Sequence, residues 1–589
     1  MMMKRFWEKW RKGWGAALAC AGVLLAGPAV SAETHESPEM RWWQTAPVYQ
    51  IYPRSFADTT GDGIWDIPGI TRHLDHIRRL GAKAIWLTPV YPSPMVDNGY
   101  DIADYTAIDP VYGTMADFDR LVAAAKDRDI RIVMDLVFNH SSDRNAWFLE
   151  SRQSRTNPKA DWYIWRDAKP DGSAPTNWRS IFGGSAWTWC EERGQYYLHT
   201  FAPQQPDLNW ENPAVRQALY DAARFWLDKG VGGFRIDAIP YIKEPAFRDG
   251  TPDGADGLVS IHTMTANTPG ILDFLHEFKA EVFAGRDIFT VGEANGVHPE
   301  DLPQWVGENG VFDMVFEFSH MGLALKDGEI WCHPTPWKLT ELKAALTATQ
   351  EATKENGWCP VFFENHDQPR SVNHFCPPGA DREKAAKAMA TVLLTLRGTP
   401  FIYEGQELGY SNVAWPSIDD YNDISSHGQY KIALEEGFSP EKAMTFVHFF
   451  SRDNARTPMQ WDNGRNAGFT TGKPWLPVHK DYARQNTAVE ERDRGSVLAW
   501  YRQLAGLRQR HRALTEGSCE MLLPSDEQVF AFARTRGQDR LLTVVNFSLE
   551  EAPLPESLTA GKKLVMGSEG PGERTRLRPL EARIYEAIE

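Results

Sequence analysis

The chain of 589 residues is longer than one hydrophobic core usually organises, although a closed barrel of eight β/α units with insertions can absorb most of that length. Two or three domains are therefore expected. The formal net charge of −16 makes nucleic acid and anionic lipid surfaces poor partners for this chain.

Residues 1–32 have the pattern of a secretory signal peptide. Basic residues precede an apolar stretch from Ala16 to Leu25, and small residues end at Ala32, where a signal peptidase would cut. A membrane anchor is disfavoured because the apolar run is short. A lipoprotein acylated at Cys20 is disfavoured because most of that run follows the cysteine. The pattern predicts a secreted or periplasmic protein with no stable membrane insertion after cleavage.

The cysteine and aromatic content bears on the ligands that this chain could take. The cysteines left after cleavage are odd in number and lack CxxC spacing, so the sequence leaves one disulfide open and predicts neither a zinc site nor a disulfide scaffold. The 23 tryptophans suit the apolar faces of sugar rings, although most of them should belong to the core. Composition therefore favours a carbohydrate ligand without establishing one. The remaining cysteines are Cys190, Cys332, Cys359, Cys376 and Cys519.

From residue 47 onward, amphipathic helices alternate with short apolar strands, which is the pattern of βα units around a parallel sheet. One helix carries Ile70, Leu74 and Ile77 on one face and ends at Gly81, and a strand follows at 84–87. Eight strands are predicted, the number that a closed barrel needs, near residues 47–54, 83–90, 131–137, 233–238, 288–292, 312–317, 360–364 and 399–403.

Two segments fall outside this alternation. About seventy residues separate the third and fourth strands, too many for an ordinary loop, and they predict an inserted domain over the barrel. Alternating apolar positions near the C-terminus predict a compact β domain. The predicted fold is α/β, a (β/α)8 TIM barrel with an inserted lid domain after strand 3 and a C-terminal antiparallel β-sandwich domain. Its predicted boundaries are 1–32 for the signal peptide, 33–139 and 211–514 for the barrel, 140–210 for the lid domain and 515–589 for the β domain.

Four of the predicted strands lead into an acidic residue. These are Asp135 in DLVFNH, Asp237 in GFRIDAI, Glu293 in FTVGEA and Asp367 in FFENHD. In a (β/α)8 barrel the carboxyl ends of the strands form the active-site face, so the four acids should converge although they are far apart in the sequence. One acid alone could simply cap a helix. Four together, two with a neighbouring Arg or His, favour a catalytic site.

These segments resemble four conserved motifs of glycoside hydrolase family thirteen, the α-amylase family, in the expected order. QPDLN at 205–209 is similar to the fifth motif, and SRDNARTPMQW, AGFTTGKPW and DNGYDIADY are similar to segments of the oligo-1,6-glucosidase subfamily. That subfamily contains α-glucosidases, dextran glucosidases and sucrose-isomerising enzymes. The resemblance covers essentially the whole mature chain. It implies a retaining, exo-acting α-glucosidase that hydrolyses terminal α-1,4- or α-1,6-linked glucose of short oligosaccharides through a covalent glucosyl-enzyme.

Retaining hydrolysis needs one carboxylate to attack the anomeric carbon and a second carboxyl group, about 5–5.5 Å away, to protonate the leaving oxygen. The resemblance implies that Asp237 is the nucleophile, that Glu293 is the acid/base, and that Asp367 grips the sugar hydroxyls and stabilises the transition state. Arg235, two residues before Asp237, should project to the same side of the strand and keep the nucleophile ionised. Glu293 needs a raised pKa and should therefore lie farther from cations.

The resemblance implies further contacts to the sugar. His140 and His366 would donate hydrogen bonds to the bound ring, and Tyr100 would stack under it. Asp97 and Arg456 would close the far end of the subsite against the non-reducing glucose. A closed end makes an exo-acting pocket rather than an endo-acting cleft.

A structural calcium site is predicted in the first βα loop. Asp58, Thr60, Asp62, Ile64 and Asp66 place oxygen ligands at alternate positions around a glycine-rich turn. Relatives that bind calcium here usually carry Asn at the place of Thr60, whose hydroxyl is a weaker ligand. An Asx-rich turn without an ion is the alternative interpretation. The carboxylate mechanism itself requires no cofactor.

The sequence leaves the linkage and the substrate open. By resemblance, valine directly after the nucleophile accompanies α-1,6 specificity and smaller residues accompany α-1,4 activity, so Ala238 conflicts with the other motifs, which resemble α-1,6 enzymes. Sucrose hydrolysis, sucrose isomerisation and transglucosylation are alternatives, although EFSHMGLALKDGEIW (317–331) lacks the arginine-rich loop of sucrose isomerases. A non-catalytic partner of a membrane transporter is disfavoured because Asp237, Glu293 and Asp367 are all present. The sequence does not predict the oligomeric state.

Overall fold

The structure, a computed structural model, describes residues 40–254, 256–325, 330–570 and 572–588. The signal peptide predicted for residues 1–32 lies outside these ranges and stays a prediction. Across the described ranges, none of the helices combines the length and the apolar character needed to cross a bilayer.

Eight parallel strands form the predicted barrel: β1 (Val48–Ile51), β2 (Ala84–Leu87), β3 (Arg131–Val137), β4 (Gly233–Asp237), β5 (Phe289–Glu293), β6 (Met314–Phe316), β7 (Pro360–Val361) and β8 (Thr399–Tyr403). Their order, β6-β5-β4-β3-β2-β1-β8-β7, runs once around the barrel. The seam between β6 and β7 has no hydrogen-bonded ladder in the described strands. Phe316 and Phe362 pack across this seam with ring centroids 4.8 Å apart.

Helices alternate with these strands, and their ends follow simple capping chemistry. Helix Pro213–Asp228 begins at Asn212, whose side-chain oxygen accepts a hydrogen bond from Ala214 N at 2.9 Å. Gly230 follows the helix with a φ of +89°, a conformation that glycine adopts without strain. The other long helices are Ile67–Arg79, Met115–Lys126, Ile271–Phe278, Leu339–Ala352, Arg382–Thr395, Ile424–Glu435, Pro440–Phe450 and Val497–Arg510. Shorter helices are Trp42–Thr45, Ala146–Ser151, Ile261–Thr265, Leu302–Trp305, Ser371–His374, Thr487–Glu490, Arg512–Glu516 and Glu556–Thr559.

The barrel strands are covered on both faces. Every residue of β1, β2 and β4 is buried, as expected where helices cover the outside and side chains fill the interior. Gly233 begins β4 with a φ of +147°, and a Cβ there would lie 1.9 Å from the carbonyl oxygen of Phe289. Only glycine therefore allows β4 and β5 to approach each other at this point.

The inserted segment forms the lid domain that its length predicts. Three antiparallel strands, Trp165–Arg166, Gln195–Leu198 and Trp187–Cys190, make a small sheet in that order. A further strand, Trp178–Arg179, pairs in parallel with Val259–Ser260 from the segment after β4. The lid domain therefore extends beyond the predicted 140–210 range, because chain from the β4 loop completes its core.

The C-terminal residues form the predicted β domain. Its larger sheet is antiparallel and contains, in spatial order, Ser518–Leu522, Val529–Arg536, Asp539–Asn546, Ala582–Ala587 and Lys562–Gly567. A two-stranded sheet of Ala552–Pro553 and Arg576–Leu577 packs against it through a shared apolar core.

The cysteines and tryptophans serve mainly as packing residues. The five cysteines of the described part of the chain are free thiols, and all except Cys519 are buried. Several tryptophans are fully buried, among them Trp65, Trp86, Trp178, Trp210 and Trp226. The core role predicted for most tryptophans agrees with this burial.

Candidate active site

The carboxyl ends of β4 and β5 bring two carboxyl groups together around one guanidinium. Asp237 ends β4 and Glu293 ends β5. Arg235 donates from Nη1 to Asp237 Oδ1 at 2.5 Å and from Nη2 to Glu293 Oε2. Both nitrogens belong to one planar group, so a single guanidinium holds the two carboxyl groups beside each other.

Asp135 on β3 holds this guanidinium in place. The register pairs Asp135 with Arg235 across the two strands. Arg235 Nη1 donates to both Asp135 oxygens, at 2.8 and 3.0 Å, and the same carboxylate accepts from Trp86 Nε1 at 3.1 Å and from Tyr100 OH at 3.0 Å. Asp135 is fully buried and does not line the pocket. Its role is therefore to orient Arg235.

Burial dominates the protonation of the carboxyl pair. It raises the pKa of Glu293 to about 7 and the pKa of Asp237 to about 7, although Arg235 opposes both shifts. The hydrogen bond between the two groups raises the pKa of Glu293 and lowers that of Asp237, which favours a proton on Glu293 and a charge on Asp237. The expectation that Glu293 lies far from cations is wrong. Arg235 contacts Glu293 directly, and the pKa of Glu293 is raised by desolvation instead.

The third predicted carboxylate, Asp367, stands beside this pair and is contacted by two arginines and a histidine. Arg456 Nη2 donates to Asp367 Oδ1 at 2.6 Å, and His366 Nε2 lies 3.0 Å from Oδ2. Burial opposes ionisation of Asp367, but His366, Arg452 and Arg456 together hold its pKa well below the usual value. Asp367 is therefore a fixed negative charge at the edge of the pocket.

The cation that binds Asp97 is Arg452, a residue that was not among the predicted site residues. Arg452 Nη2 donates to Asp97 Oδ1 at 2.9 Å, and Nη1 donates to Asp367 Oδ1 at 3.3 Å. Arg456 is fully buried behind Asp367. Both arginines belong to SRDNARTPMQW, and the short 3-10 helix Arg452–Asn454 directs the first of them into the pocket. The predicted Arg456 contacts Asp367 but does not line the pocket, and its role toward the sugar stays a prediction.

Asp423 is a positioning residue that sequence reasoning missed. It caps helix Ile424–Glu435 by accepting from Ser425 N and Ser426 N, and it also accepts from Arg452 Nε at 2.7 Å. Asp423 is fully buried and does not line the pocket. The sequence could have indicated Asp423 as an N-cap residue, because it stands directly before a helix. Its contact with Arg452 left no local signal in the sequence.

The remaining predicted residues divide between the pocket wall and the layer behind it. Tyr100 and His140 line the pocket, whereas Arg235, His366 and Arg456 lie behind it. Burial lowers the pKa of His140 to about 3, so the imidazole is neutral, and its Nε2–H donates to the carbonyl of Tyr100 at 3.2 Å. The rings of Tyr100 and His366 stack with centroids 5.2 Å apart.

The pocket encloses about 700 Å³ above the ends of β4 and β5. This volume is within the range of small-molecule sites. The lid domain contributes Phe182 and Phe201 to its wall, and Trp331 and Phe450 contribute further aromatic surface. Flat apolar walls combined with a few charged groups suit sugar rings, which have apolar faces and polar edges.

The predicted calcium loop is closed by its own hydrogen bonds. The two oxygens of Asp58 accept from Thr60, Gly61 and Gly63 in the loop and from Thr470. Asp66 accepts from Thr59 and caps helix Ile67–Arg79, while Asp62 accepts from Ile64 N. The carboxylate oxygens of Asp58 and Asp66 are thus occupied by donors. These residues do not fit a calcium ion as they are arranged, and the Asx-rich turn is the interpretation that fits.

The barrel, its paired carboxyl groups and the third carboxylate beside them define a glycoside hydrolase of the two-carboxylate type. The family described as "Alpha amylase, catalytic domain" matches residues 50–517. The chain belongs to the α-amylase family, which is glycoside hydrolase family thirteen.

Similar proteins cover nearly the whole chain. An oligo-1,6-glucosidase of Parageobacillus thermoglucosidasius is 44% identical over 559 residues, which are 93% of this chain and 99% of that protein. The trehalose-6-phosphate hydrolase of Escherichia coli (strain K12) is 43% identical over 514 residues, covering 87% and 92% of the two chains. Among solved structures, the isomaltulose synthase of Erwinia rhapontici NX5 superposes with a TM-score of 0.88 at 41% identity, covering 93% of this chain and 100% of that one.

Proposed function

We propose that this protein is a retaining, exo-acting α-glucosidase that removes terminal glucose from short α-1,6-linked oligosaccharides. The observation that carries the proposal is the Asp237–Arg235–Glu293 arrangement at the floor of the pocket. Relatives named oligo-1,6-glucosidase and glucan 1,6-alpha-glucosidase support the α-1,6 linkage. Ala238 is the feature that favours α-1,4 activity instead, so maltose must be assayed beside isomaltose.

In the first step, Asp237 attacks the anomeric carbon and the glycosidic bond breaks. Glu293 gives its proton to the departing oxygen, so the leaving sugar is released as an alcohol and Asp237 carries the glucosyl group as an ester. In the second step, Glu293 takes a proton from water as the water oxygen attacks the same carbon. Glucose leaves with retained configuration and both carboxyl groups return to their starting states.

The exo-acting part of the proposal rests on the pair Asp97 and Arg452. Arg452 is bound simultaneously to Asp97, Asp367 and Asp423, so its guanidinium cannot move aside without breaking several charged hydrogen bonds. A glucose in the pocket would meet this pair with its 4- and 6-hydroxyl groups. No further sugar would fit beyond them, which restricts cleavage to the non-reducing end.

The test replaces each catalytic carboxyl group separately. We expect Asp237→Ala and Glu293→Ala each to lower kcat on isomaltose by about a thousandfold. With α-glucosyl fluoride and azide, Asp237→Ala should form β-glucosyl azide, because azide replaces the nucleophile. Glu293→Ala should form α-glucosyl azide, because azide replaces the attacking water. Product configuration is read by NMR.

Glu300, an exposed carboxylate in the loop after β5, supplies the control, and Glu300→Ala should keep wild-type kcat. The same azide anomer from both catalytic variants would contradict the assignment of roles. Wild-type protein should be assayed in parallel on isomaltose, maltose, sucrose and trehalose. A higher kcat/KM on sucrose than on either glucose disaccharide would replace the α-glucosidase with the sucrose-active alternative.

Export to the periplasm or the medium completes the proposal. Its support is the basic, apolar and small-residue pattern of residues 1–32. An oligosaccharide-cleaving enzyme outside the cytoplasm would act on sugars before uptake. Activity confined to the cytoplasmic fraction of the producing cell would contradict it.

A further inference from the structure

A group of potential metal ligands lies outside the catalytic site. Cys332 Sγ is 3.7 Å from Glu436 Oε2, and His333 Nε2 is 2.6 Å from the same oxygen. Within the described residues, this is the one group of at least three His, Cys, Asp or Glu side chains whose ligand atoms all lie within 4.8 Å of one another. None of these three residues belongs to the catalytic machinery described above.

The electrostatics at this position favour a cation. Glu436 caps the C-terminal end of helix Ile424–Glu435, where the carbonyl groups make the helix dipole negative. Lys431 Nζ lies 3.6 Å from Glu435 Oε1 and pairs with that carboxylate, so Glu436 is the acidic residue that adds negative charge at this end. Like charge at a helix end is unfavourable, and a bound divalent ion would remove that penalty.

The donor set also fits one class of ion. Thiolate, imidazole and carboxylate groups are all ligands that zinc accepts, and with three protein ligands a water would complete the tetrahedron. Tetrahedral zinc separates its ligand atoms by about 3.5 Å, close to the observed 3.7 Å between sulfur and carboxylate oxygen. The imidazole would have to move away from the carboxylate by about 1 Å, which its 53% side-chain exposure permits.

We propose that Cys332, His333 and Glu436 bind a zinc ion that ties the segment 331–333 to the C-terminal end of helix Ile424–Glu435. Both tied elements contribute to the pocket wall, the first through Trp331 and the second through Gln429. Trp331 N already donates to Gln429 Oε1 at 3.0 Å. The ion therefore stabilises one wall of the pocket without contacting the reacting atoms.

The test begins with whole protein treated with chelator and exchanged into metal-free buffer. Calorimetric titration with Zn²⁺ alone should show one bound equivalent. Titration with Co²⁺ should produce a thiolate-to-metal charge-transfer band in the near ultraviolet, because Cys332 supplies the sulfur. Zinc should also lower KM for isomaltose, since it orders the pocket wall, while kcat stays constant. This last effect alone depends on the proposed function.

Each ligand is then removed in turn. Cys332→Ser, His333→Ala and Glu436→Gln should each weaken zinc binding more than about tenfold, and Cys332→Ser should also abolish the charge-transfer band. His333 is exposed, so its variant keeps the fold even if the cysteine variant does not. Cys376→Ser, at a buried cysteine outside the group, should bind zinc as the wild type does. Wild-type protein that takes up no zinc, or equal binding by all the variants, would overturn the proposal, whatever the sugar assays show.

Discussion

Arg235 is the residue on which the catalytic pair depends. Its guanidinium binds Asp135, Asp237 and Glu293 at once and is itself fully buried. Without this charge, the three buried carboxyl groups would repel one another. All three would then be protonated, whereas in the protein only Glu293 carries a proton. The guanidinium thus sets the spacing of the pair and lowers both pKa values, which keeps one of the two carboxyl groups ionised.

The pH profile of activity tests this arrangement. The reactive form has Glu293 protonated and Asp237 ionised. Because burial raises the pKa of Glu293 to about 7, kcat/KM should fall as the pH rises through about 7 and Glu293 loses its proton. On the acid side, kcat/KM should fall as Asp237 becomes protonated. Initial rates on isomaltose from pH 4 to 9 measure both limbs.

In Glu293→Gln assayed with α-glucosyl fluoride, which needs no proton donor, the decline at high pH should disappear from the glucosylation step. Persistence of that decline would assign it to another group.

Asp423 provides a second prediction at the scale of single residues. Asp423→Asn removes the charge that fixes Arg452 and should lower kcat/KM on isomaltose by about tenfold to a hundredfold, mainly through KM. Steady-state kinetics measure the effect. Ser439 is a matched control because it also caps a helix, Pro440–Phe450, but contacts no pocket residue described here. Ser439→Ala should reduce stability by about 1 kcal/mol and leave KM unchanged. Equal KM values for the two variants would contradict the role given to Asp423.

At the scale of elements, periodicity predicted the eight strands because each is a short apolar run between helices. It also predicted that Asp237 and Glu293 meet, since both end barrel strands. The contact of Arg452 with Asp97 could not be predicted, because the direction of this side chain depends on one turn of 3-10 helix in a long loop. The lid core could not be predicted either, because Val259–Ser260 joins it through only two residues of pairing.

The loop that contains Asp58 gives a prediction about metal. Because loop donors already occupy the oxygens of Asp58 and Asp66, millimolar CaCl2 added to chelator-treated protein should not change the Tm. Asp58→Asn should lower the Tm even without calcium, because the amide cannot accept all of these hydrogen bonds. Differential scanning calorimetry measures both. A calcium-dependent rise in Tm that Asp58→Asn abolishes would restore the sequence prediction of a calcium site.

At the scale of the whole molecule, the β domain is attached to the barrel by buried cations. Arg534 donates to the carbonyl of Thr395 on a barrel helix and to those of Gly517 and Ser518 in the β domain. Lys343, on another barrel helix, donates to the carbonyls of Leu523, Asp526 and Val529. Main-chain carbonyls accept these bonds, so the attachment depends on backbone position rather than on matched charge.

Arg534→Ala should therefore lower the Tm by about 5 °C, because three carbonyl groups lose their donor in a buried interface. Its kcat should stay at the wild-type value, since the interface is remote from the pocket. Arg540→Ala, at an exposed arginine of the neighbouring strand, should change neither quantity. Thermal unfolding followed by circular dichroism measures the Tm of both variants. Equal Tm values would show that the interface does not need Arg534.

The three ion pairs of Arg452 have a consequence for the order in which the site is completed during translation. A ribosome that has completed the first 440 residues has already made the nucleophile, the proton donor and Asp97, but it has not yet made the cation that joins Asp97 to Asp367 and Asp423. The nascent chain therefore contains both catalytic carboxyl groups before it contains the arginine needed to bind the sugar. A chain that ends before Arg452 should therefore not bind the substrate, even if most of its barrel strands have folded.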